Sequence, residues 1–346
     1  MKHTKTYLWL SILFLIFLFL FNPHYISLGN VLEGWGVDQG LVLYKQIASF
    51  HLPLGRIPPL ILYKIFNWDL RVTPWLGLFI GITNLIVIYK FGKKFLSQQA
   101  TILSLIFFAS TYWYFATGIS FYHEQQVGLF LSLAILWFYN IFFSKDKSNI
   151  KSKFKDLFLL GTFLSITELS GQIASVTVFT LIVISIFYTV KTKKNWLKKL
   201  VYFCVGGIIP LILVALYFYI KNGLWDFIYW NFLYYQDYAT LAGSFWDLPF
   251  LQVFVLLSPL VASLVLILIA LLKKIKVTPQ FLIMTIISAS TIPFTLFSVF
   301  HYHHFTYAFF ITVVLLGFLT DSKVKQQSIG RFIYFILIGF IGYSFL

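Results

Sequence analysis

The sequence predicts an all-α integral membrane protein, a single polytopic domain over residues 1–346 with about eleven transmembrane helices. The chain is 60% hydrophobic and only 11% charged, whereas soluble domains carry about 25% charged residues. Apolar runs of about 20 residues recur along it, the length that an α-helix needs to cross the hydrocarbon core. Short lysine tracts separate these runs, as is typical of cytoplasmic loops.

The net charge of +15 does not indicate a nucleic-acid partner, because the lysines lie between the apolar runs. In that position they set the orientation of membrane helices. Cys204 is the one cysteine of the chain and lies inside an apolar run, so the sequence predicts no disulfide framework.

The first apolar run, residues 7–22, follows a basic start and is not followed by a small-residue cleavage site. We therefore predict an uncleaved helix with a cytoplasmic N-terminus, followed by a long outer loop over residues 23–73. Within that loop, residues 39–50 and 58–68 mix aromatic, aliphatic and basic positions. This mixture predicts two helices lying on the membrane surface.

Nine further runs complete the predicted topology. Residues 157–190 are bounded by lysines at both ends, which predicts two short helices meeting outside near Ser170 and Gly171. A second outer segment is predicted over residues 221–249. The remaining spans are predicted at residues 74–91, 99–117, 125–143, 199–220, 250–272, 279–299, 304–320 and 332–346.

The acids are distributed differently from the lysines on this topology. Only five basic residues fall outside: Lys45, Arg56, Lys64, Arg71 and Lys221. Most acids do fall on the outer side: Glu33, Asp38, Asp69, Glu124, Glu168, Asp226, Asp237 and Asp247. Because acids contribute little to helix orientation, we predict a polar, acid-lined cavity on the outer face.

Asp38 is the main candidate for chemistry. It lies between glycines in the segment Gly34–Gly40, where the backbone can turn sharply and approach a ligand closely. A carboxylate here could take the proton of an attacking hydroxyl group. The alternative is that Asp38 caps a helix beginning near Gln39.

Two other acids have alternative interpretations of the same kind. Glu124, beside His123, could join Asp38 in holding an acceptor or a metal. The alternative is that it is a structural acid, stabilised in the first turn of its helix by the positive end of the helix dipole. Glu168 lies within an apolar run, where an ionisable group indicates function by default. The alternative for Glu168 is a place in the outer loop.

Positive groups for an anion are also present. Arg56 could grip a phosphate with two donors, or pair with lipid headgroups. His301, His303 and His304 cluster between two predicted spans, without the matched acid or cysteine spacing of a zinc site. An interfacial cluster or a phosphate pocket is therefore favoured there over a metal site. No Walker loop, GxGxxG, nucleophile elbow or HExxH motif is present.

These features resemble the GT-C membrane glycosyltransferases, in particular the family 39-like branch that includes protein O-mannosyltransferases and aminoarabinose transferases. Two departures are Gln39, where the family has a second acid, and Gly171-Gln172, where a Lys-Gln pair is common. The similar stretches occur in family order: residues 37–44, 56–60, 123–124, 223–239 and 302–305.

The resemblance implies a GT-C-like fold that transfers a sugar from a polyprenyl phosphate to a lipid, glycan or protein on the outer face of the cell membrane. Asp38 would be the general base of an inverting reaction and Glu124 its assistant, and a divalent cation is left open as a cofactor. Substrate and phosphate binding would fall to Arg56, His123, Glu168, Gln172, His301, His303 and His304.

Two other classes of function remain. A transporter or flippase of lipid-linked glycans would show inverted repeats and broken helices with polar residues near the membrane midplane, and no internal repeat is evident in the sequence. An inactive scaffold of an envelope complex would fit Gln39 and the missing lysine. An enzyme is expected to bring Asp38 and Glu124 into one cavity, which a scaffold need not do.

Overall fold

The computed structural model describes most of the chain as helices, and it contains no β-strand in the part that it describes. Five of these helices are long and apolar enough to cross a membrane: His3–Phe21, Thr73–Phe95, His123–Phe143, Gln172–Lys191 and Trp196–Ile220. The chain is thus an all-α membrane protein. The structure describes residues 2–21, 28–47, 49, 52–115, 123–144, 150–192, 195–234, 250–272, 276–293 and 306–321.

Thirteen α-helices are named here in chain order within the described ranges, with short 3-10 turns at Pro53–Gly55, Leu70–Val72 and Gln172–Ala174. A π-helix follows α10 at Tyr229–Leu233. The helices are α1 Lys2–Phe21, α2 Leu28–Asp38, α3 Ile57–Ile65, α4 Thr73–Phe95, α5 Gln98–Phe115, α6 His123–Phe143, α7 Ile150–Ser170, α8 Ser175–Lys191, α9 Trp196–Ile220, α10 Leu224–Ile228, α11 Phe250–Leu272, α12 Pro279–Ala289 and α13 Phe309–Thr320.

Helices lie within the predicted spans up to residue 320, and the last predicted span, 332–346, lies outside the described residues. That eleven helices cross the membrane stays a prediction. Helix α11 has the predicted bounds, and α12 ends at Ala289 instead of continuing to residue 299. The predicted surface helix at 58–68 is confirmed as α3, while its position at a membrane surface stays a prediction.

The other predicted surface helix, at residues 39–50, is wrong. The helix in this region is α2, which precedes it, and residues 39–47 form turns with an isolated bridge between Leu43 and Ile47. Gly40 has a φ of 87° and Tyr44 a φ of 70°. Both values are left-handed and incompatible with a continuing right-handed helix.

Helices α7 and α8 form a hairpin that reverses at Gly171, as the flanking lysines predict. The Tyr188 ring near the end of α8 lies 5.5 Å from Phe142 and 5.3 Å from Phe143 at the end of α6. At the turn, a Cβ on Gly171 would lie 2.9 Å from the His123 ring at the start of α6. The beginning of α8 therefore lies beside the beginning of α6.

Helices α7 and α9 run parallel and approach each other through glycines. A Cβ added to Gly161 would overlap the Phe203 carbonyl oxygen, and one added to Gly206 would overlap the carbonyl oxygen of Phe158. The Thr162 hydroxyl donates to the Gly206 carbonyl oxygen at 3.1 Å. Small residues that let backbones meet are the usual means of helix association in membranes.

The lysines of the long helices and the acids Glu124 and Glu168 lie at opposite ends of this bundle. Lys94 at the end of α4 donates to Asn140 near the end of α6 at 2.9 Å, and Lys198 at the start of α9 lies over the Phe154 ring of α7. Glu124 and Glu168 lie at the opposite end of α6 and α7. We call these the lysine end and the acid end.

Candidate functional site

The turn Pro53–Arg56 docks onto the acid end of the bundle. A Cβ on Gly55 would lie 2.7 Å from the Ser170 carbonyl oxygen and 2.9 Å from the His123 Cβ, so this contact requires glycine. Gln126 Nε2 donates to the Leu54 carbonyl oxygen at 2.9 Å and to Ser170 Oγ at 3.0 Å. The first predicted outer loop and helices α6 and α7 are thereby joined at Leu54 and Gly55, next to Arg56.

Arg56 forms a two-point ion pair with Glu33 of α2. Its Nε lies 2.5 Å from Glu33 Oε2, and its Nη2 donates to Oε1 at 3.3 Å. Ser49 Oγ donates to Oε2 at 3.2 Å. The two side chains are only 8% and 15% exposed, so the guanidinium is held largely out of water by a carboxylate.

Burial raises the pKa of the Glu33 carboxyl above its ordinary value of 4.5. The charge of Arg56 and the hydrogen bonds from Ser49 and Arg56 act in the opposite direction and offset part of the rise. Desolvation is the larger effect because a buried carboxylate loses water that two partners replace only in part.

Asp38 ends α2 and is held against α3. Its Oδ1 lies 2.5 Å from Lys64 Nζ, and Trp68 Nε1 donates to its Oδ2 at 3.2 Å. Trp68 adopts a left-handed φ of 62° and stacks on Tyr63 with ring centroids 5.5 Å apart. The alternative in which Asp38 caps a following helix is wrong, because turns follow it.

Glu124 lies in the first turn of α6, as predicted. His123 Nδ1 is 3.2 Å from Glu124 Oε2, and both side chains are buried. Arg56 is near enough to interact electrostatically with Glu124. The interactions of Asp38 lead instead to Lys64 and Trp68. The expected joining of Asp38 and Glu124 in one cavity is not seen among the described residues, because neither of them lines the cavity described below.

Glu168 lies in the last turn of α7, so the alternative that places it in an outer loop is wrong. Ser175 Oγ donates to Glu168 Oε1 at 2.5 Å across the hairpin turn. The second oxygen, Oε2, is buried and has no hydrogen-bond partner among the described residues.

Gln172 connects the hairpin turn to the segment after α9. Its Nε2 donates to Asn231 Oδ1 at 3.1 Å, and Asn231 Nδ2 donates to the Phe227 carbonyl oxygen at 2.9 Å. Asn231 lies in the π-helix, a rare element that is frequent at functional sites. The polar groups of the acid end therefore extend from Arg56 to Asn231.

An apolar cavity of about 390 Å³ lies between α2, the Pro53–Arg56 turn with α3, and the last turns of α9. Arg56 is the one charged residue among the described residues that line it. Its walls come from Gly34, Val37, Leu43, Pro53, Leu54, Ile57, Leu60, Leu213, Val214, Tyr217 and Phe218.

Sequence reasoning counted Glu33 among the outer acids but not as a site residue, and it predicted a polar, acid-lined cavity, whereas the described cavity is apolar and no acid lines it. Glu33 is five residues before Asp38 in the same polar segment, but it lies on a different face of a helix that was not predicted. The contribution of α9 to the cavity has no motif, because its apolar residues look like any membrane helix.

His301, His303 and His304 lie outside the described residues, so their predicted role stays a prediction. Among the described residues, no three side chains of His, Cys, Asp or Glu are grouped as metal ligands would be. His123 and Glu124 form the pair that could contribute to a cation site.

No protein-family model matches this chain, and no curated protein or solved structure shows significant similarity to it.

Proposed function

We propose that this protein is a GT-C-like membrane glycosyltransferase that uses a polyprenyl-phosphate-linked sugar. The observation that carries the proposal is the apolar cavity with Arg56 in its lining, next to the buried carboxylates Glu33 and Glu124. A ligand that suits this cavity has an apolar chain and one anionic group, which describes a lipid phosphate.

The walls of the cavity support a lipid rather than a soluble donor. Leu213 and Tyr217 line the cavity and are also exposed on α9, a helix of membrane-spanning length. A prenyl chain could therefore lie along α9 while its phosphate meets Arg56. An arginine suits this role because its planar guanidinium offers two parallel donors to phosphate oxygens.

In the proposed reaction an acceptor hydroxyl attacks the sugar carbon attached to the phosphate. The new carbon–oxygen bond forms as the bond to the phosphate oxygen breaks, and the hydroxyl proton passes to Asp38. The polyprenyl phosphate leaves with the bonding electron pair. Arg56 and His303 would stabilise its developing charge, because fixed positive groups lower the barrier for such a departure.

Asp38 needs a rearrangement to act as the base, since Lys64 and Trp68 hold both of its oxygens. Lys64 is more than half exposed, so its release into water is inexpensive for the structure. Glu124 and His123 would assist at the sugar, and Glu168 and Gln172 would bind the acceptor, a lipid, glycan or protein, at the polar end of the hairpin.

In the proposed topology the chain crosses the cell membrane eleven times, its N-terminus is cytoplasmic, and its active site lies on the outer face. The concentration of lysines at one end of the long described helices supports this orientation. The activated donor supplies the driving force, which accounts for a chain without a nucleotide-binding motif.

A lipid-linked glycan transporter is the second candidate, favoured by one observation. The α7–α8 hairpin places a buried Glu168 oxygen without a described partner beside the turn between two helices. Broken helices with polar groups are typical of transporters, although there they lie near the midplane. A measurement of sugar transfer separates the two candidates.

The test is glycosyl transfer from a panel of polyprenyl-phosphate sugars by the purified protein in detergent, with Asp38→Asn as the variant. The substitution keeps the size of the side chain and removes its basicity. We expect transfer to fall by about 100-fold or more, because general bases contribute roughly 10²–10⁴-fold. Equal transfer by both proteins would remove Asp38 from the mechanism, and no transfer with any donor would leave the transporter and the inactive scaffold as the two candidates.

A further inference from the structure

The charged end of the cavity is neutral as a whole. Arg56 lines the cavity, but Glu33 takes two of its nitrogen atoms, at 2.5 and 3.3 Å. The net charge of this pair is zero when Glu33 is ionised. An anion that enters an apolar cavity loses its hydration, which costs free energy. Attraction to a guanidinium that a carboxylate already neutralises offsets little of that desolvation cost.

The neighbouring groups do not supply the missing charge. Tyr44 and Tyr63 are neutral, and burial raises the pKa of both phenols further. Lys64 is paired with Asp38 across the α2–α3 contact. Lys45 is exposed, so water screens its charge. The ionisable groups that the described segments carry near Glu33 and the Pro53–Arg56 turn are Asp38, Tyr44, Lys45, Tyr63, Lys64, His123, Glu124, Glu168 and Tyr217.

The acids in this set supply no positive charge in either protonation state. Glu124 interacts electrostatically with Arg56, and Glu168 lies on α7, which the turn also contacts. A bound phosphate would thus add a negative charge to a region that already holds acids.

We propose that Glu33 takes up a proton when a lipid phosphate binds at Arg56, so that the site binds a monoanionic phosphodiester together with one proton. This inference rests on the proposed function, whose donor is such a diester. The proton comes from solvent, and no covalent bond of the protein changes.

The coupling follows from competition for one guanidinium. Protonated Glu33 carries no charge, so Arg56 then has a full positive charge with which to balance the phosphodiester. Conversely, a phosphate beside Glu33 disfavours its ionised form, because like charges raise the pKa of a carboxyl. Burial already raises the pKa of Glu33 in the ligand-free protein, so the proton is gained at modest cost.

The sign of the pH dependence is therefore fixed. Low pH protonates Glu33 and releases Arg56, so affinity for the diester is highest there. Affinity falls as the pH rises through the pKa of Glu33, by up to about tenfold per pH unit for one linked proton. Glu33→Gln imitates the protonated carboxyl, so its affinity is expected to be high and independent of pH.

The experiment titrates methyl farnesyl phosphodiester into the purified full chain in detergent, followed by calorimetry from about pH 5 to 8. A diester is used because it lacks the group that titrates near pH 6 in a phosphate monoester. Wild type is compared with Glu33→Gln. Asp69→Asn is the matched control, because Asp69 also pairs with an arginine, Arg71, but on the exposed surface.

We expect the affinity of the wild type and of Asp69→Asn to fall with rising pH while that of Glu33→Gln stays constant. At pH 8 Glu33→Gln should bind about tenfold tighter than wild type or more, as expected for removing a close competing charge. Repeating the wild-type titration in buffers with different ionisation enthalpies should reveal proton uptake that Glu33→Gln lacks.

The same pH dependence in wild type and Glu33→Gln would overturn the inference, as would weaker binding by Glu33→Gln at pH 8 or no binding by either protein. The assay contains no sugar and no acceptor. A chain that binds the diester with proton uptake but transfers no sugar would therefore leave this inference standing and remove the proposed function. A chain that transfers sugar and shows no pH effect would do the reverse.

Discussion

At the scale of the residue, the Arg56–Glu33 pair determines how much positive charge the site can offer to an anionic ligand. Glu33 holds Arg56 in place and also masks it, so the same contact that orders the guanidinium opposes an anionic ligand. A buried pair of this kind contributes little net stability, but loss of one partner leaves the other charge buried and uncompensated.

Arg56→Ala should therefore destabilise the fold by about 3–5 kcal/mol near neutral pH. The loss should be smaller in acid, because protonation removes the buried charge of Glu33. The sign follows from the raised pKa of Glu33: the protonated form is the one that folding favours, and its contribution is complete below the unfolded-state pKa and lost as the pH rises through the folded value.

The control for this prediction is the double variant Arg56→Ala/Glu33→Gln, measured by thermal unfolding in detergent. It should recover most of the stability that Arg56→Ala loses, since no ionised group is then left buried. A double variant as unstable as Arg56→Ala would show that the alkyl part of Arg56, and not its charge, carries the effect.

Sequence reasoning found half of this pair. Arg56, Glu124, Glu168 and Gln172 were predicted as site residues, and the structure places all of them at the acid end. Glu33 was missed because a single helix turn decides which carboxylate of α2 faces the arginine. That orientation depends on where α2 begins, and residues 28–38 carry no capping signal that marks it.

At the scale of the element, the close contact of α7 and α9 positions the cavity. Helix α9 supplies one cavity wall, and α7 carries Ser170, which holds the Pro53–Arg56 turn through Gln126 and Gly55. The separation of these two helices therefore sets the distance between the lipid-facing wall and Arg56.

Gly206→Ala should destabilise the protein by about 1–3 kcal/mol, the usual cost of an added methyl in a filled contact. A Cβ there would overlap the Phe158 carbonyl oxygen, and backbone cannot move aside as a side chain can. The matched control is Gly207→Ala, whose Cβ would lie 3.7 Å from the Gly161 carbonyl oxygen, an ordinary contact. Equal melting temperatures for the two variants would contradict the proposed packing.

The element boundaries show what pattern alone can predict. The α7–α8 hairpin was predictable because lysines at both ends of one apolar run require an even number of crossings. The helix expected at residues 39–50 was not formed, because the left-handed backbone at Tyr44 is a tertiary effect. Tyr44 packs against Phe218 and Phe227, a contact that the local sequence does not predict.

At the scale of the whole molecule, the two ends of the described bundle carry opposite roles. The lysine end holds the groups that orient the chain, and the acid end holds the candidate site. Lysines set orientation while acids do not, so the acid end is expected to face the outside of the cell.

Labelling of introduced cysteines tests this orientation in a Cys204→Ser background. Asp69→Cys, near the acid end, should react with a membrane-impermeant maleimide in intact cells. Lys198→Cys, at the lysine end, should react only after the membrane is permeabilised; both positions are exposed or nearly so on the protein. The reverse pattern would place the candidate site in the cytoplasm.

Because α9 forms one wall of the cavity, the ligand concentration that matters is its concentration in the bilayer. Leu213 and Tyr217 face both the cavity and the surroundings of the bundle, so a prenyl ligand would enter sideways from the bilayer. The quantity that governs occupancy is then the mole fraction of the ligand among the lipids and not its amount per volume of water. Added inert lipid would compete by dilution in two dimensions, although it touches no residue of the site.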